Sequence, residues 1–187
     1  MKLFIKNMVC NRCKIAVKTV LESLELHPLD IELGEVEMLE QSFTAEQTET
    51  LKQQLLAIGF ELIDDKRGRI IEKIKSVVIE LIHHTDEPKH LKYSEHITSQ
   101  LPYDYAYLSR LFSEVEGITI EHYIITQKIE KAKEFLAYNE LTLSELSYRL
   151  GYSSVAHLSA QFKKITGMTP TQFKSLHTKP RKPLDEV

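Results

Sequence analysis

The sequence contains an internal repeat whose two copies lie fifty positions apart. Residues 107–123 read YLSRLFSEVEGITIEHY, and residues 157–173 read HLSAQFKKITGMTPTQF. The identical pairs are Leu108/Leu158, Ser109/Ser159, Phe112/Phe162, Gly117/Gly167 and Thr119/Thr169. A duplicated segment constrains the whole architecture, and two copies are too few for a solenoid. We therefore expect one chain that presents two small units of the same build.

Each copy predicts a helix that follows a shorter one. The apolar residues recur at i, i+4 and i+7, which is one stripe of an α-helix. They are Leu108, Phe112 and Val115 in the first copy and Leu158, Phe162 and Ile165 in the second. Shorter helices are predicted at 94–101 and 143–150, and Gly117 and Gly167 are predicted helix ends. A helix, a tight turn and a second helix form the unit whose second helix enters a DNA major groove, although any αα-hairpin gives this pattern.

The solvent sides of the two longer helices are the candidate DNA-binding surfaces. They carry Ala106, Ser109, Arg110 and Ser113 in the first copy, and Ala156, Ser159, Ala160, Lys163 and Lys164 in the second, preceded by Ser153 and Ser154. Small residues allow a close approach, Arg pairs with guanine edges, and Ser bonds a base or a phosphate. A solvated surface without a ligand is the alternative interpretation of such a stripe.

A longer helix is predicted between the copies, at 120–138. Nineteen residues span about 28 Å, against about 34 Å for one turn of B-DNA. A rod of this length could set two reading helices in successive major grooves on one side of a duplex.

From about residue 69 to residue 176, the chain resembles the AraC-type DNA-binding domain, a seven-helix module with two helix-turn-helix units. The likeness is strongest in LSELSYRLGYSSVAHLSAQFKKITGMTPTQFK, residues 143–174. The resemblance implies sequence-specific binding of double-stranded DNA and control of transcription, with RNA polymerase as a further candidate partner. The family commonly has Arg after the Ser of each reading helix, and the chain keeps it as Arg110 but has Ala160 in the second copy. Base discrimination is therefore expected to depend more on the first unit, with Lys163 and Lys164 on phosphate.

Residues 1–66 predict a ferredoxin-like β-α-β-β-α-β order. A strand at 2–6 and a helix at 14–24 precede a hairpin at 29–39, in which Leu29, Ile31 and Leu33 share an apolar side. A helix at 45–58, capped by Thr44, and a strand at 60–63 follow. The predicted fold class is thus an α+β front domain followed by an all-α domain, residues 69–176, with two helix-turn-helix units. Residues 177–187 are predicted to be a flexible tail with basic and acidic residues.

The junction of the first strand and helix reads Met8-Val9-Cys10-Asn11-Arg12-Cys13. With the fold order, this motif resembles the heavy-metal-associated domain of copper chaperones and metal pumps, although the family usually has Gly where this chain has Asn7. Two thiolates on a loop suit Cu(I), or half of a Zn site. Cys10 and Cys13 are therefore candidate metal ligands, and no cofactor is expected to be required. A redox dithiol and a retained fold with no metal role remain open.

Charge and motifs restrict the functional class. The net charge is −3, with −5 over residues 1–66 and +2 over residues 67–187, which fits two domains with different partners. A charge of +2 is modest for a DNA-binding domain, so nonspecific binding should be weak and sensitive to salt. No apolar run is long enough to span a membrane and no signal peptide is recognisable, so we expect a cytoplasmic protein. The absence of a phosphate loop and a nucleophile elbow argues against an enzyme. The histidines at 83, 84 and 90 are expected to be exposed or capping.

Two hypotheses follow. The first is a transcription regulator that binds DNA through its rear domain and senses a soft metal through Cys10 and Cys13. The alternative is a metal-trafficking or dithiol redox protein whose helical half is a protein-interaction module. Selection of sites from random DNA distinguishes the two, because only the first protein should enrich a sequence.

Overall fold

A computed structural model describes residues 1–85, 92–138, 141–176 and 180–187. The chain divides into two compact units, Met1–Ser76 and Val77–Val187. His90 and the tail residues 177–179, about which the sequence made predictions, lie outside the described residues. In the parts described, no helix is long and apolar enough to cross a membrane.

The first unit has the β-α-β-β-α-β element order that its sequence predicts. The elements are β1 (Lys2–Lys6), α1 (Asn11–Ser23), β2 (Pro28–Glu32), β3 (Glu35–Met38), α2 (Ala45–Ala57) and β4 (Glu61–Leu62), followed by α3 (Lys66–Ile79). The strands form an antiparallel sheet in the order β2-β3-β1-β4. Alternate residues of β1 and β3 are buried, as are residues of α1 and α2: Leu3, Ile5, Val36, Met38, Val17, Leu21, Leu51 and Leu55. A two-layer α/β core therefore forms from period-2 strands and period-3.6 helices.

Two local predictions for this unit meet different outcomes. Thr44 caps α2 as predicted, because its side chain accepts a hydrogen bond from the backbone N–H of Gln47 while the Gln47 side chain accepts one from the N–H of Thr44. Leu29 does not share an apolar side with Ile31 and Leu33; it is 62% exposed. An irregularity in the β2–β3 register between Pro28 and Asp30 interrupts the alternation there.

The second unit is helical. Its described elements after α3 are a π-helical turn (Glu80–His84), α4 (Tyr93–Gln100), α5 (Tyr105–Glu116), α6 (Ile120–Tyr138), α7 (Leu143–Arg149), α8 (Val155–Thr166), α9 (Pro170–Lys174) and a 3-10 turn (Leu184–Glu186). Helix α6 has the bounds that the sequence predicts. Its buried residues form one core with residues of α7, α8 and α9: Ile129, Ala132, Phe135, Leu136, Leu146, Leu158, Phe162 and Phe173.

His83 is not an exposed or capping residue, contrary to the prediction. Its Nε2 lies 2.9 Å from Oε1 of Gln127, a fully buried side chain of α6. The amide nitrogen of Gln127 donates in turn to the hydroxyl of Tyr123 at 3.0 Å and to the carbonyl of Leu184 at 3.2 Å. Burial lowers the pKa of His83 to about 4, despite the opposing hydrogen bond to Gln127. The sequence did not indicate this, because the partner lies 44 positions away.

The described part of the tail, residues 180–187, contacts α6 where the sequence predicted a flexible segment. The guanidinium of Arg181 lies 2.9 Å from the carboxylate of Glu134, and the backbone N–H of Lys182 donates to Glu130 at 3.1 Å. Glu130 is only 4% exposed, so its carboxylate requires donors from the protein. The tail supplies one of them, and the flexibility of the tail remains a prediction.

Candidate nucleic-acid interface

The two copies of the repeat begin and end in the same way. The Asp104 carboxylate accepts a hydrogen bond from the third N–H of α5 at 2.8 Å, and the Ser154 hydroxyl accepts the equivalent bond of α8 at 3.1 Å. Both helices contain 12 residues and end at a glycine in the left-handed conformation, Gly117 with φ 71° and Gly167 with φ 79°. The repeated sequence therefore specifies two helices of one length.

The copies also share a ring contact with the helix that follows. Phe112 of α5 lies 5.6 Å from the ring of Tyr123 in α6, and Phe162 of α8 lies 5.6 Å from the ring of Phe173 in α9. All four residues are at most 3% exposed. Such aromatic pairs add roughly 1 kcal/mol beyond their burial, so each longer helix is held at the same point. Val115, predicted to continue the apolar stripe, is 48% exposed, whereas its counterpart Ile165 packs against the core.

The predicted DNA-binding residues lie on surfaces open to solvent within the second unit. Those that are exposed are Ala106, Arg110, Ser153, Ser154, Ala156, Ala160, Lys163 and Lys164, and those that are half-buried are Ser109, Ser113 and Ser159. Ser113 donates to the backbone carbonyl of Ser109 at 2.9 Å, as a hydroxyl in a helix often does. The structure thus separates these residues from the core, and their contact with DNA remains a prediction.

Arg110 is the residue of this set best suited to read a base. Its Nε lies 3.9 Å from the carboxylate of Glu114, and the two side chains are 72% and 52% exposed. An exposed pair at this distance contributes little, so Arg110 can exchange Glu114 for acceptors on DNA at low cost. Ala160, the matching residue of α8, has no such group.

Three residues at the start of the longer helices were not predicted as site residues, namely Tyr103, Tyr107 and His157, whereas Ser153 was. In the first helix-turn-helix unit, the rings of Tyr103 and Tyr107 lie 5.1 Å apart at 35°. In the second, the hydroxyl of Ser153 lies 3.1 Å from Nδ1 of His157, whose ring also meets Tyr152 edge-on at 5.2 Å. Tyr103 and Ser153 are fifty positions apart, as are Tyr107 and His157, so aligning the two copies of the repeat would have identified these positions. The first helix-turn-helix unit therefore has two tyrosine rings at the start of its longer helix, and the second has a serine and a histidine.

Lys128 lies on α6 between two tyrosine rings. Its ammonium nitrogen is 5.1 Å from the ring centroid of Tyr93 and 5.4 Å from that of Tyr152. Burial lowers the pKa of Lys128 to about 8, and it raises the pKa of Tyr93 to about 12. The Tyr152 hydroxyl is buried and has no partner in the described structure. The three residues lie on α6, on α4 and in the turn after α7, so no local sequence pattern indicated this arrangement.

A second candidate site lies in Met1–Ser76 and consists of the two cysteines. Cys10 is the residue that precedes α1, and Cys13 lies in the first turn of the helix rather than on a loop, because α1 begins three residues earlier than predicted. Their sulfur atoms are 3.4 Å apart. Asn7 adopts φ 72°, the left-handed conformation that glycine favours, and its amide donates to the carbonyl of Gly59 at 3.0 Å. Asn tolerates this conformation better than most residues, so the departure from Gly leaves the turn intact.

The cysteines differ in their tendency to ionise. Burial alone would raise the pKa of Cys10, but hydrogen bonds from the Cys13 backbone and thiol and the charge of Arg12 lower it overall. Burial raises the pKa of Cys13. Among the described residues, no three His, Cys, Asp or Glu side chains cluster as metal ligands. The donor set fits a two-coordinate soft ion such as Cu(I), whereas a tetrahedral Zn site would need ligands from elsewhere.

Comparisons with known proteins concern mainly the second unit. Residues 97–175 match a family described as "Helix-turn-helix domain". The chain is similar to YtdP of Bacillus subtilis, an uncharacterised HTH-type transcriptional regulator, with 29% identity over 80% of this chain and 20% of that protein. It is also 32% identical to an uncharacterised HTH-type transcriptional regulator of Staphylococcus aureus, over 60% of this chain and 14% of that protein. The chain thus spans about a fifth or less of the curated relatives it matches.

Two solved structures are similar to part of the chain. One is the C-terminal domain of AraT, a response regulator from Geobacillus stearothermophilus, with a TM-score of 0.49 and 27% identity over 61% of this chain and 94% of that one. The other is the DNA-binding domain of AdpA in complex with a target DNA, with a TM-score of 0.46 and 20% identity over 55% of this chain and 90% of that one.

Proposed function

We propose that this chain is a sequence-specific transcription regulator that binds double-stranded DNA through α5 and α8. The observation that carries the proposal is the repeated unit: two 12-residue helices with matching caps and open outer surfaces, joined by the 19-residue α6. The match of residues 97–175 to a helix-turn-helix family and the naming of the relatives as transcriptional regulators support it. RNA polymerase is the further partner that this role implies.

The two helix-turn-helix units contribute differently to DNA binding. Arg110 in α5 reads a base, because its guanidinium can pair with the two acceptors of guanine. Ala156 and Ala160 let α8 approach the groove closely, and α8 makes the smaller contribution to base recognition. Lys163 and Lys164, both exposed near the end of α8, hold phosphates and set the register.

Residues 1–76 are proposed to form a ferredoxin-like, heavy-metal-associated domain that holds Cu(I) between Cys10 and Cys13. The sheet order and the left-handed turn at Asn7 support this assignment. The lowered pKa of Cys10 favours capture of a soft ion, and the two sulfur atoms, 3.4 Å apart, would separate slightly to hold it in linear coordination. Metal binding there would adjust the DNA affinity of the second unit.

Selection of bound sites from a random pool of duplex DNA tests the DNA proposal. We expect enrichment of a defined sequence by the full chain, with no enrichment by an Arg110→Ala, Lys163→Ala double variant. Both side chains are exposed, so the fold should survive these changes. Recovery of an unselected pool by the full chain would contradict the proposal.

Footprinting with and without Cu(I) tests the metal proposal separately. The full chain should bind one Cu(I), and its DNA affinity should change when the ion is added; a Cys10→Ser, Cys13→Ser variant should bind DNA and ignore the metal. Equal protection by the full chain and the variant, each with and without Cu(I), would contradict metal sensing but not DNA binding. Stoichiometric transfer of Cu(I) to a chelating acceptor, without any selected DNA site, would favour the trafficking alternative.

A further inference from the structure

The cleft beside Lys128 lies between the two helix-turn-helix units. Its volume is about 530 Å³, within the range of small-molecule sites. The floor is one side of α6, formed by Glu121, Ile124, Ile125 and Lys128, and residues of the two units line the walls. Residues at i, i+3, i+4 and i+7 share one side of a helix, so the floor is continuous.

Lys128 differs from its neighbours on α6 in having no carboxylate partner among the described residues. Lys131 lies 3.1 Å from Glu134, and Lys133 pairs with Glu130. Lys128 instead lies over the faces of Tyr93 and Tyr152, and an ammonium over rings keeps three N–H donors to satisfy. An anion entering the cleft would supply the acceptors that the protein does not.

We propose that this cleft binds a small organic monoanion, a carboxylate or a phosphate diester, whose charged group pairs with Lys128. The body of the ligand lies over Ile124 and Ile125 and is apolar. Its far end is neutral or cationic, because Glu121 is seven residues from Lys128 and therefore about 10 Å along the helix. The ligand would touch both helix-turn-helix units at once, since Tyr93 and Tyr105 come from the first, and Tyr152 and His157 from the second. This inference does not depend on DNA binding.

Titration of the ¹⁵N-labelled full chain with benzoate tests the site. Saturable shifts should appear at Tyr93, Ile124, Lys128 and Tyr152, and terephthalate, with a second carboxylate at its opposite end, should bind more weakly. Lys128→Met should weaken benzoate binding about tenfold or more, which is the effect of losing a charged hydrogen bond. Lys128→Arg should retain binding, as should Lys131→Met, the same change at a paired lysine on the same helix.

Two results would overturn the proposal. One is the absence of saturable shifts from benzoate in the full chain while the variants remain folded, as judged by their spectra. The other is benzoate binding that Lys128→Met leaves unchanged. DNA phosphate is the competing source of the same chemistry: it predicts that Lys128→Met lowers DNA affinity and reduces the salt slope by about one, with no benzoate binding by the free chain. The assays therefore separate this site from the proposed DNA function.

Discussion

Acidification should destabilise the second unit through one side chain, His83. The ring is neutral in the fold and donates to Gln127, and its pKa falls from 6.5 to about 4. In the unfolded chain the same ring takes up a proton near its ordinary pKa. The stabilisation is therefore complete above pH 6.5 and is lost as the pH falls from 6.5 towards 4.

The size of the effect follows from the shift. A difference of about two and a half pKa units corresponds to about 3 kcal/mol between the two protonation states. Lys131 lowers the pKa further and Glu134 opposes it, so their charges modulate this value without reversing its sign. A loss of this size is a large part of the stability of a small domain.

Urea unfolding at several pH values measures it, with His83→Gln as the informative variant. Gln is always neutral and can still donate towards Gln127, so the variant should lose about 3 kcal/mol less than the parent between pH 6.5 and pH 4. His84→Gln, which removes a charge that helps to lower the pKa of His83, should reduce the pH dependence only slightly. Parallel curves for the parent and His83→Gln would refute the reasoning.

Three further outcomes are expected. Asn7→Gly should change the stability by less than about 0.5 kcal/mol in urea unfolding, whereas Asn7→Val should cost roughly 1–3 kcal/mol, because a β-branched residue is strained at φ 72°; equal costs would show that the turn does not require this conformation. Tyr152→Phe should leave stability unchanged or raise it by up to about 1 kcal/mol, since it removes a buried hydroxyl that has no partner in the described structure; a clear loss in thermal unfolding would contradict this. Arg110→Ala should weaken binding to a selected site by about 1–3 kcal/mol and relax one base position, while Lys163→Ala should weaken binding to all sequences alike in gel-shift titrations.

Patterns within a few residues predicted much of the fold. The period of apolar residues placed α6 at its observed bounds, and the Thr44 cap and the two glycine ends follow from local chemistry. The repeat predicted two equivalent units, and their matching caps and ring contacts confirm it. These features depend on contacts close in sequence, which is why a single sequence reveals them.

Contacts between distant residues were not predictable in this way. His83 and Gln127 are 44 positions apart, and Lys182 reaches Glu130 across 52 positions. Nothing local marks such residues as partners, so His83 was expected at the surface and the contact of Lys182 was not predicted. Similarly, Lys128 gains its surroundings from rings on α4 and on the turn after α7. The candidate DNA surface was easier to predict, because exposure on a helix follows from the periodicity itself.

In the proposed function, α6 holds the two helix-turn-helix units in a fixed relation so that both bind one duplex. The most direct measurement is the affinity for a selected site before and after about 5 bp, or half a helical turn, are inserted between its two sequence blocks. We predict two blocks about one turn apart and a loss of specific binding when the insertion rotates one block to the other side of the duplex. A single block, or unchanged affinity after the insertion, would contradict the claim.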